Sequence, residues 1–410
     1  MDRRGPLDVL LINQYYPPSD APTGLLLADL AERLARDGHS VRVLAGRRAY
    51  EDPRRTYAAR ERRAGVDVRR LRTIGVRRSG GRRSGGVWRA VEYASFLAAV
   101  GGRLFSTRRP DVIVTLSTPP MLATLVVLAA RIRRTRSVYW VMDVYPDIAF
   151  ALGVLSETSL AGRILARLAR FAATHASVVV ALGERMAEVL AAQGARTVEC
   201  VPNWLAGPEV PRDVDARALG DEWGWTGQLV VLYSGNLGLA YEFDTAIRAA
   251  DLLRDRPDVR FAFVGQGARR DEIESQVRRR GLKNVELREP LPRERLALGL
   301  AAGDLHLVTL RVEAAGLLVP SKIFGTLAAG RPTLYVGPPD SEVARIVREA
   351  GCGVQIDPGD AEGLVRAIRG YADDPDRRRI EGERARRAHD ERFARGRSLE
   401  RLVQLVEGSG

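Results

Sequence analysis

Short, uninterrupted apolar runs alternate with helical periodicity along almost the whole chain, and this alternation constrains the fold more than any other feature. Residues 7–13 (LDVLLIN) read as a buried strand, and 14–24 (QYYPPSDAPTG) as a loop rich in Pro, Asp and Gly. Residues 25–37 read as an amphipathic helix with Leu26, Leu27, Leu30 and Leu34 at helical spacing. Gly38 stops the helix, and 40–45 (SVRVLA) form the next strand. Strand, loop, helix, strand is the unit that builds a parallel sheet, whose strands are apolar on both faces.

The unit recurs. Strands are expected at 66–71, 111–116, 137–142 and 177–182, with helices over 87–105, 121–133 and 183–193. Residues 197–228 break the pattern: Pro202, Gly207, Pro208, Pro211, Gly220 and Gly224 punctuate them, and apolar periodicity is lost. A second series of strands follows at 229–234, 259–264, 284–287, 304–308, 332–336 and 353–356, and a last helix at about 395–407. A chain of 410 residues suits two domains of roughly 150 residues or a little more each. The expected division is 1–200, a linker region 201–228, and 229–394. The fold class is α/β, with two Rossmann-like, doubly wound parallel sheets.

Several classes of protein are disfavoured. The longest uncharged run, Val112 to Ala130, is broken by Ser117, Thr118, Pro119 and Pro120, so it reads as strand, turn and helix rather than a membrane span. Residues 1–8 are polar and the apolar run 9–12 is too short for a signal core, so a cytoplasmic protein is expected. Cys200 and Cys352 fall in different domains and read as reduced thiols. The four histidines lack the spacing of a helical zinc site. The net charge of +13 is confined: residues 47–109 hold 18 arginines against five acids, and the rest of the chain is neutral. Such a region suits an anionic lipid surface, nucleic acid or a phosphorylated substrate, and attraction to an anionic membrane surface is the sharper reading. Helix 87–105, with Trp88, Val91, Tyr93, Phe96, Leu97 and Leu104 beside Arg89 and Arg103, has the mix of an interfacial helix. The Gly/Ser/Arg tract 78–86 reads as flexible. Nucleic acid is not expected, since the arginines lie in loops without a known recognition module.

Ligands of open parallel sheets bind beyond the carboxyl ends of strands, at helix starts. That rule nominates four loops. The first contains Tyr16, Asp20 and Gly24, where amides or side chains can meet a phosphate, a sugar or an acceptor. The second is Asp143-Val144-Tyr145-Pro146-Asp147, in which an apolar strand ends in a carboxylate able to orient or activate a hydroxyl. The third is Ser234-Gly235-Asn236-Leu237-Gly238, whose glycines let backbone approach phosphate oxygens. The fourth runs from Gly316 to Gly330, with Ser321 and Lys322 in the first turn of a helix. A cation there opposes the helix dipole by about 0.3–1 kcal/mol, and a bound diphosphate would reverse the sign. Lysine is rare in this chain, Lys283 and Lys322 being the only two.

Together these loops resemble retaining glycosyltransferases of family 4, with the GT-B fold, and in particular the branch that makes lipid-linked or surface polysaccharides. The resemblance rests on NQYYPPSDAPTG with LADLAERLARDGHSV, DVYPD with ALGVL, YSGNLGLAYEFDTAIRAADLL, and VPSKIFGTLAAGRP with SEVARIVREAGCGV. It implies two facing Rossmann-like domains with a cleft, the acceptor on the N-terminal one and a sugar nucleotide on the other. The last helix would cross back to the first domain. The diphosphate would lie near Gly24, Asn236, Ser321 and Lys322, and the nucleobase near Glu289, Pro290 and Leu291. The expected donor is a UDP-sugar; no cofactor or metal is expected, the sole Asp-x-Asp string, Asp213-Val214-Asp215, lying in the linker. Tyr16, Asp20 and Tyr145 are acceptor-side candidates. The chain departs from the family at Leu317 and Gly325, where many members carry glutamates, and Glu342 is a candidate replacement for the ribose contact. Tailoring of a small natural product and epimerisation of a nucleotide sugar are the alternative activities.

Overall fold

The computed structural model describes residues 5–50, 52, 54–74 and 86–408. The chain forms two compact units, Met1–Pro202 with Gly396–Gly410, and Asn203–Arg395.

The first unit is built on eight strands: β1 (Asp8–Ile12), β2 (Ser40–Gly46), β3 (Arg60–Arg63), β4 (Val66–Leu71), β5 (Val112–Leu116), β6 (Arg136–Trp140), β7 (Val178–Ala181) and β8 (Val198–Cys200). Their order is β3-β4-β2-β1-β5-β6-β7-β8. All neighbours are parallel except β3 and β4, which form a hairpin through Ala64 and Gly65, both at positive φ. β3 was invisible to periodicity because its sequence, RERR, is all charge; charged residues suit an edge strand, which must not pair with another chain. The helices are α1 (Pro22–Arg36), α2 (Gly86–Ser106), α3 (Leu122–Ile132), α4 (Asp147–Ala151), α5 (Leu160–His175) and α6 (Glu184–Ala192). α1 starts three residues earlier than its leucine stripe suggests, because Pro22 supplies a ready first-turn φ.

Within α2, Phe96, Val100 and Leu104 are buried with Leu10, Ile12, Val126 and Ala130, while Phe105 is exposed. The Gly/Ser/Arg tract 78–85 and the side chains of Trp88 and Arg89 lie outside the described residues. The C-terminal helix Arg395–Glu407 packs within the first unit from Gly396 on: Arg136 donates to the Val406 carbonyl at 2.9 Å, and Arg401 pairs with Glu199 at 2.8 Å.

The second unit has six parallel strands: β9 (Leu229–Ser234), β10 (Val259–Val264), β11 (Val285–Arg288), β12 (Leu305–Thr309), β13 (Thr333–Val336) and β14 (Gly353–Ile356). The order β11-β10-β9-β12-β13-β14 places the switch point between β9 and β12. The stretch read as a linker, 201–228, is mostly part of this unit. Trp204, Leu219 and Trp225 are buried in it, and residues 198–200 are the last strand of the first unit. Proline and glycine obscured this packing because the segment is anchored by isolated aromatics rather than by a periodic face.

Among the described residues, no helix is long and apolar enough to cross a membrane.

Candidate functional site

In the second unit the backbone beyond β9 sets the geometry. Gly235 stands at φ +131, donates its N–H to Val264 O at 2.9 Å, and begins an exposed turn. Leu237 N donates to Gln266 O at 2.8 Å, and Arg269 N to Leu237 O at 3.0 Å. The turn after β9 is thereby laced to the turn after β10. Glycine permits the contact: a Cβ on Gly265 would lie 1.9 Å from Gly235 O, and one on Gly267 2.2 Å from Leu237 O. Sequence reasoning missed Gly265 and Gly267. The available signal was a Gly-x-Gly directly after the apolar run 259–264. Ser234, Asn236 and Gly238 lie on the same turn, and Tyr233 Oη fixes it by donating to Asn236 O at 2.7 Å.

Across the switch point, β12 leads to the helix Lys322–Ala329, whose start has no side-chain cap. Lys322 extends from it toward Gly235. Its Cε lies 3.1 Å from where a Cβ on Gly235 would be, so glycine makes room for the lysine stem. The ammonium sits 3.7 Å from the ring centroid of Tyr241 and 4.8 Å from that of Tyr233. Two aromatic faces hold it, and among the described residues no carboxylate pairs with it. Burial therefore pushes the amine down to about 7. An anion at this position would return the charge that desolvation removes.

The other expected donor residues are less alike. Ser321 is exposed at the helix start. Glu289 is exposed beside the β10 turn, 3.2 Å from Arg270, which donates to Gly265 O at 2.6 Å. Leu291 packs partly into the cluster of Trp225 and Val230, so only its backbone suits a ligand. Glu342 requires correction: it opens the helix Glu342–Ala350 but is buried and paired with Arg345, so its carboxylate is not held open for a ribose. At Gly325 a Cβ would touch Leu300 at 3.4 Å and Leu205 at 3.6 Å, so this position faces apolar side chains.

In the first unit, Asp143 follows the end of β6. Ser117 Oγ, at the end of β5, accepts from the N–H groups of Met142 and Asp143 at 3.0 and 3.2 Å. Sequence reasoning did not single out Ser117. Burial alone pushes the Asp143 carboxyl up to about 6. Tyr145 is half-buried beside Ser117 and Tyr139, and Asp20 is exposed. Two expectations fail here. Tyr16 is buried, and burial raises its hydroxyl, which has no hydrogen-bond partner, so it does not present itself to an acceptor. Gly24 is buried in α1, where a Cβ would lie 3.0 Å from the Tyr15 carbonyl; its role is close packing of helix on loop rather than an open phosphate contact. Among the described residues, no three His, Cys, Asp or Glu side chains are grouped to hold a metal ion.

Residues 24–204 match the model of the glycosyl transferase 4-like domain, and residues 220–388 match that of glycosyl transferases group 1. The chain belongs to the glycosyltransferases that join these two domains, and its two Rossmann-like units are those of the GT-B fold. It is similar to the probable glycosyltransferase WbjE of Pseudomonas aeruginosa, at 31% identity over 266 residues. That alignment spans 64% of this chain and 66% of WbjE, just under two thirds of that relative's length. WcaI of Escherichia coli strain K12, a glycosyl transferase assigned to colanic acid biosynthesis, is 28% identical over 381 residues, 88% of this chain and 91% of WcaI. Among solved structures, Anabaena HepE in complex with UDP-glucose superposes with a TM-score of 0.71 over 98% of this chain and 100% of HepE. At 17% identity that likeness concerns the fold alone.

Proposed function

We propose that the protein is a retaining, metal-independent glycosyltransferase that moves a sugar from a UDP-sugar to a lipid-linked or polysaccharide acceptor in cell-surface glycan synthesis. The observation that carries the reading is Lys322: a desolvated amine without a counter-charge among the described residues, at an uncapped helix start, facing a glycine turn at the switch point of a parallel sheet. A diphosphate supplies the missing charge and accepts from the turn amides. As the bond between anomeric carbon and phosphate oxygen breaks, negative charge grows on the leaving diphosphate, and Lys322 with the amides stabilises it. Retention fits attack of the acceptor hydroxyl on the same face, with its proton passing to the departing phosphate oxygen. Asp143 orients that hydroxyl. The relatives' names support surface glycan as the product class, and the complex formed by HepE supports a UDP-sugar as donor. In this reading the enzyme works in the cytoplasm, at the cytoplasmic face of the membrane.

Lys322→Ala tests the donor site. UDP affinity, measured by calorimetry, should fall by about 2–3 kcal/mol, the scale of a charge-assisted bond left unmade. Unchanged affinity overturns the assignment. Sugar transfer that persists in excess chelator supports the metal-free reading, and turnover that depends on a divalent ion removes it. Rearrangement of the donor without any acceptor would mark an epimerase instead.

A further inference from the structure

The first unit carries an apolar stripe that no described residue covers. α3 and α5 pack side by side, with Thr124 Oγ1 donating to the Leu168 carbonyl at 2.9 Å. α5 buries only small residues, Gly162, Ala172 and Ala173. Three of its large ones face outward: Leu160, Ile164 and Leu168, spaced four apart, are 69%, 46% and 39% exposed, while Leu165 and Phe171 are half-buried. Leu128 and Ile132 of α3 are 45% and 62% exposed. An amphipathic helix that serves only its own core would place alanine outside and leucine inside. This helix does the reverse.

The charge pattern identifies what covers the stripe. Arg163, Arg167 and Arg170 flank it on α5, and neither helix contains an Asp or Glu. Protein interfaces are enriched in aromatic residues and Met as well as Arg, whereas the exposed stripe is only Leu and Ile, and a small acidic ligand has no use for exposed leucines. Leucine beside arginine, without acid, fits a surface that is apolar below and anionic above. We propose that the α3–α5 face docks on an anionic lipid bilayer, with Leu160, Ile164 and Leu168 in the acyl boundary and the arginines among the headgroups. The proposal rests on the reading of the acceptor as lipid-linked, and it names the surface that would bring the enzyme to it. The chain leaving Asp143 leads through α4 and the connection 152–159 into α5.

The test is co-sedimentation of the full chain with phosphatidylglycerol vesicles and with phosphatidylcholine vesicles. The wild type should pellet with the former and be released by high salt. Leu160→Gln, Ile164→Gln and Leu168→Gln together should weaken partitioning at least tenfold, on the scale of a few buried leucines. Because the three side chains are exposed, the circular dichroism spectrum should not change. Arg163→Gln, Arg167→Gln and Arg170→Gln together should weaken binding similarly and abolish its salt dependence. Equal pelleting of wild type and both variants overturns the proposal. So does a wild-type dimer in ultracentrifugation that the leucine variant converts to monomer, since the stripe would then be a self-interface. UDP affinity, read in the same samples, should be unaltered in both variants. Its absence in the wild type would sink the donor reading and leave the docking result standing.

Discussion

The two units bury opposite charges in similar settings. Beyond the end of β6 the first unit holds Asp143, raised to about 6; beyond β12 the second holds Lys322, lowered to about 7. Burial is the cause of both shifts. Two other cations of the chain are compensated by carboxylates. The guanidinium of Arg70 donates to Glu61 at 2.7 Å and to Pro17 O at 2.6 Å, and Arg269 lies between Asp244 and Glu272. A buried charge without a partner is costly, and it persists where a ligand or a reaction makes use of it. The contrast separates structural ion pairs from candidate chemistry more sharply than residue type does, and each half of it can be broken separately.

The largest effect is expected at the acid. Asp143→Asn keeps size and hydrogen bonding but removes the charge, so kcat should fall by about 10²–10⁴-fold. Stability should not fall with it. A carboxyl raised in the folded state binds protons more readily there than in the unfolded chain, so its contribution declines as pH rises from about 4 to about 6. The asparagine variant should therefore be as stable as wild type at pH 7, or more stable by about 1–3 kcal/mol, and urea unfolding decides. Full activity in this variant would make Asp143 a structural curiosity. Next comes the base: Lys322→Ala should cost the donor affinity stated above without unfolding the second unit, so that the two single-site variants separate turnover from binding.

The pH dependence of donor binding sharpens the comparison further. Above about pH 7 the free protein holds Lys322 largely neutral, whereas a bound diphosphate requires the ammonium. Binding then takes up a proton, and affinity should drop toward tenfold per pH unit above 7, until the pH reaches the amine's bound-state value. Calorimetry in buffers of different ionisation enthalpy should register that uptake. A flat profile from pH 7 to 9 would mean that Lys322 does not meet the phosphates. The smallest expected effect concerns the turns that frame the lysine. Gly265→Ala places a methyl against Gly235 O, and should destabilise the second unit by about 1–3 kcal/mol while weakening UDP binding. A variant with wild-type stability would show that the two turns are not locked together.

Much of the architecture was legible because its strands are buried on both faces. Continuous runs such as 229–234 and 259–264 have few alternatives once helices follow them, and the observed β9 and β10 span the same residues. What escaped was structure without periodic burial. β3 is charged at every position, α5 turns three of its large residues outward, and residues 203–228 are held by Trp204 and Trp225 at irregular spacing. The site divides in the same way. Loops beyond strand ends could be located by rule, and Asp143, Gly235 and Lys322 lie in or after such loops. That Tyr16, Gly24 and Glu342 are buried could not be read there, because a loop's sequence does not say which of its side chains turn inward.

By itself the sequence determined two parallel α/β sheets, the loops that end their strands, and the glycosyltransferase resemblance. Those depend on local pattern: which residues repel water, where the chain can turn, and where a helix can start. Only the tertiary structure decided that Lys322 lies over Tyr241 and Tyr233, that Asp143 is desolvated beside Ser117, and that Gly265 and Gly267 let two turns touch. Desolvation and close approach are properties of what surrounds a group, and the surroundings come from residues distant in the chain.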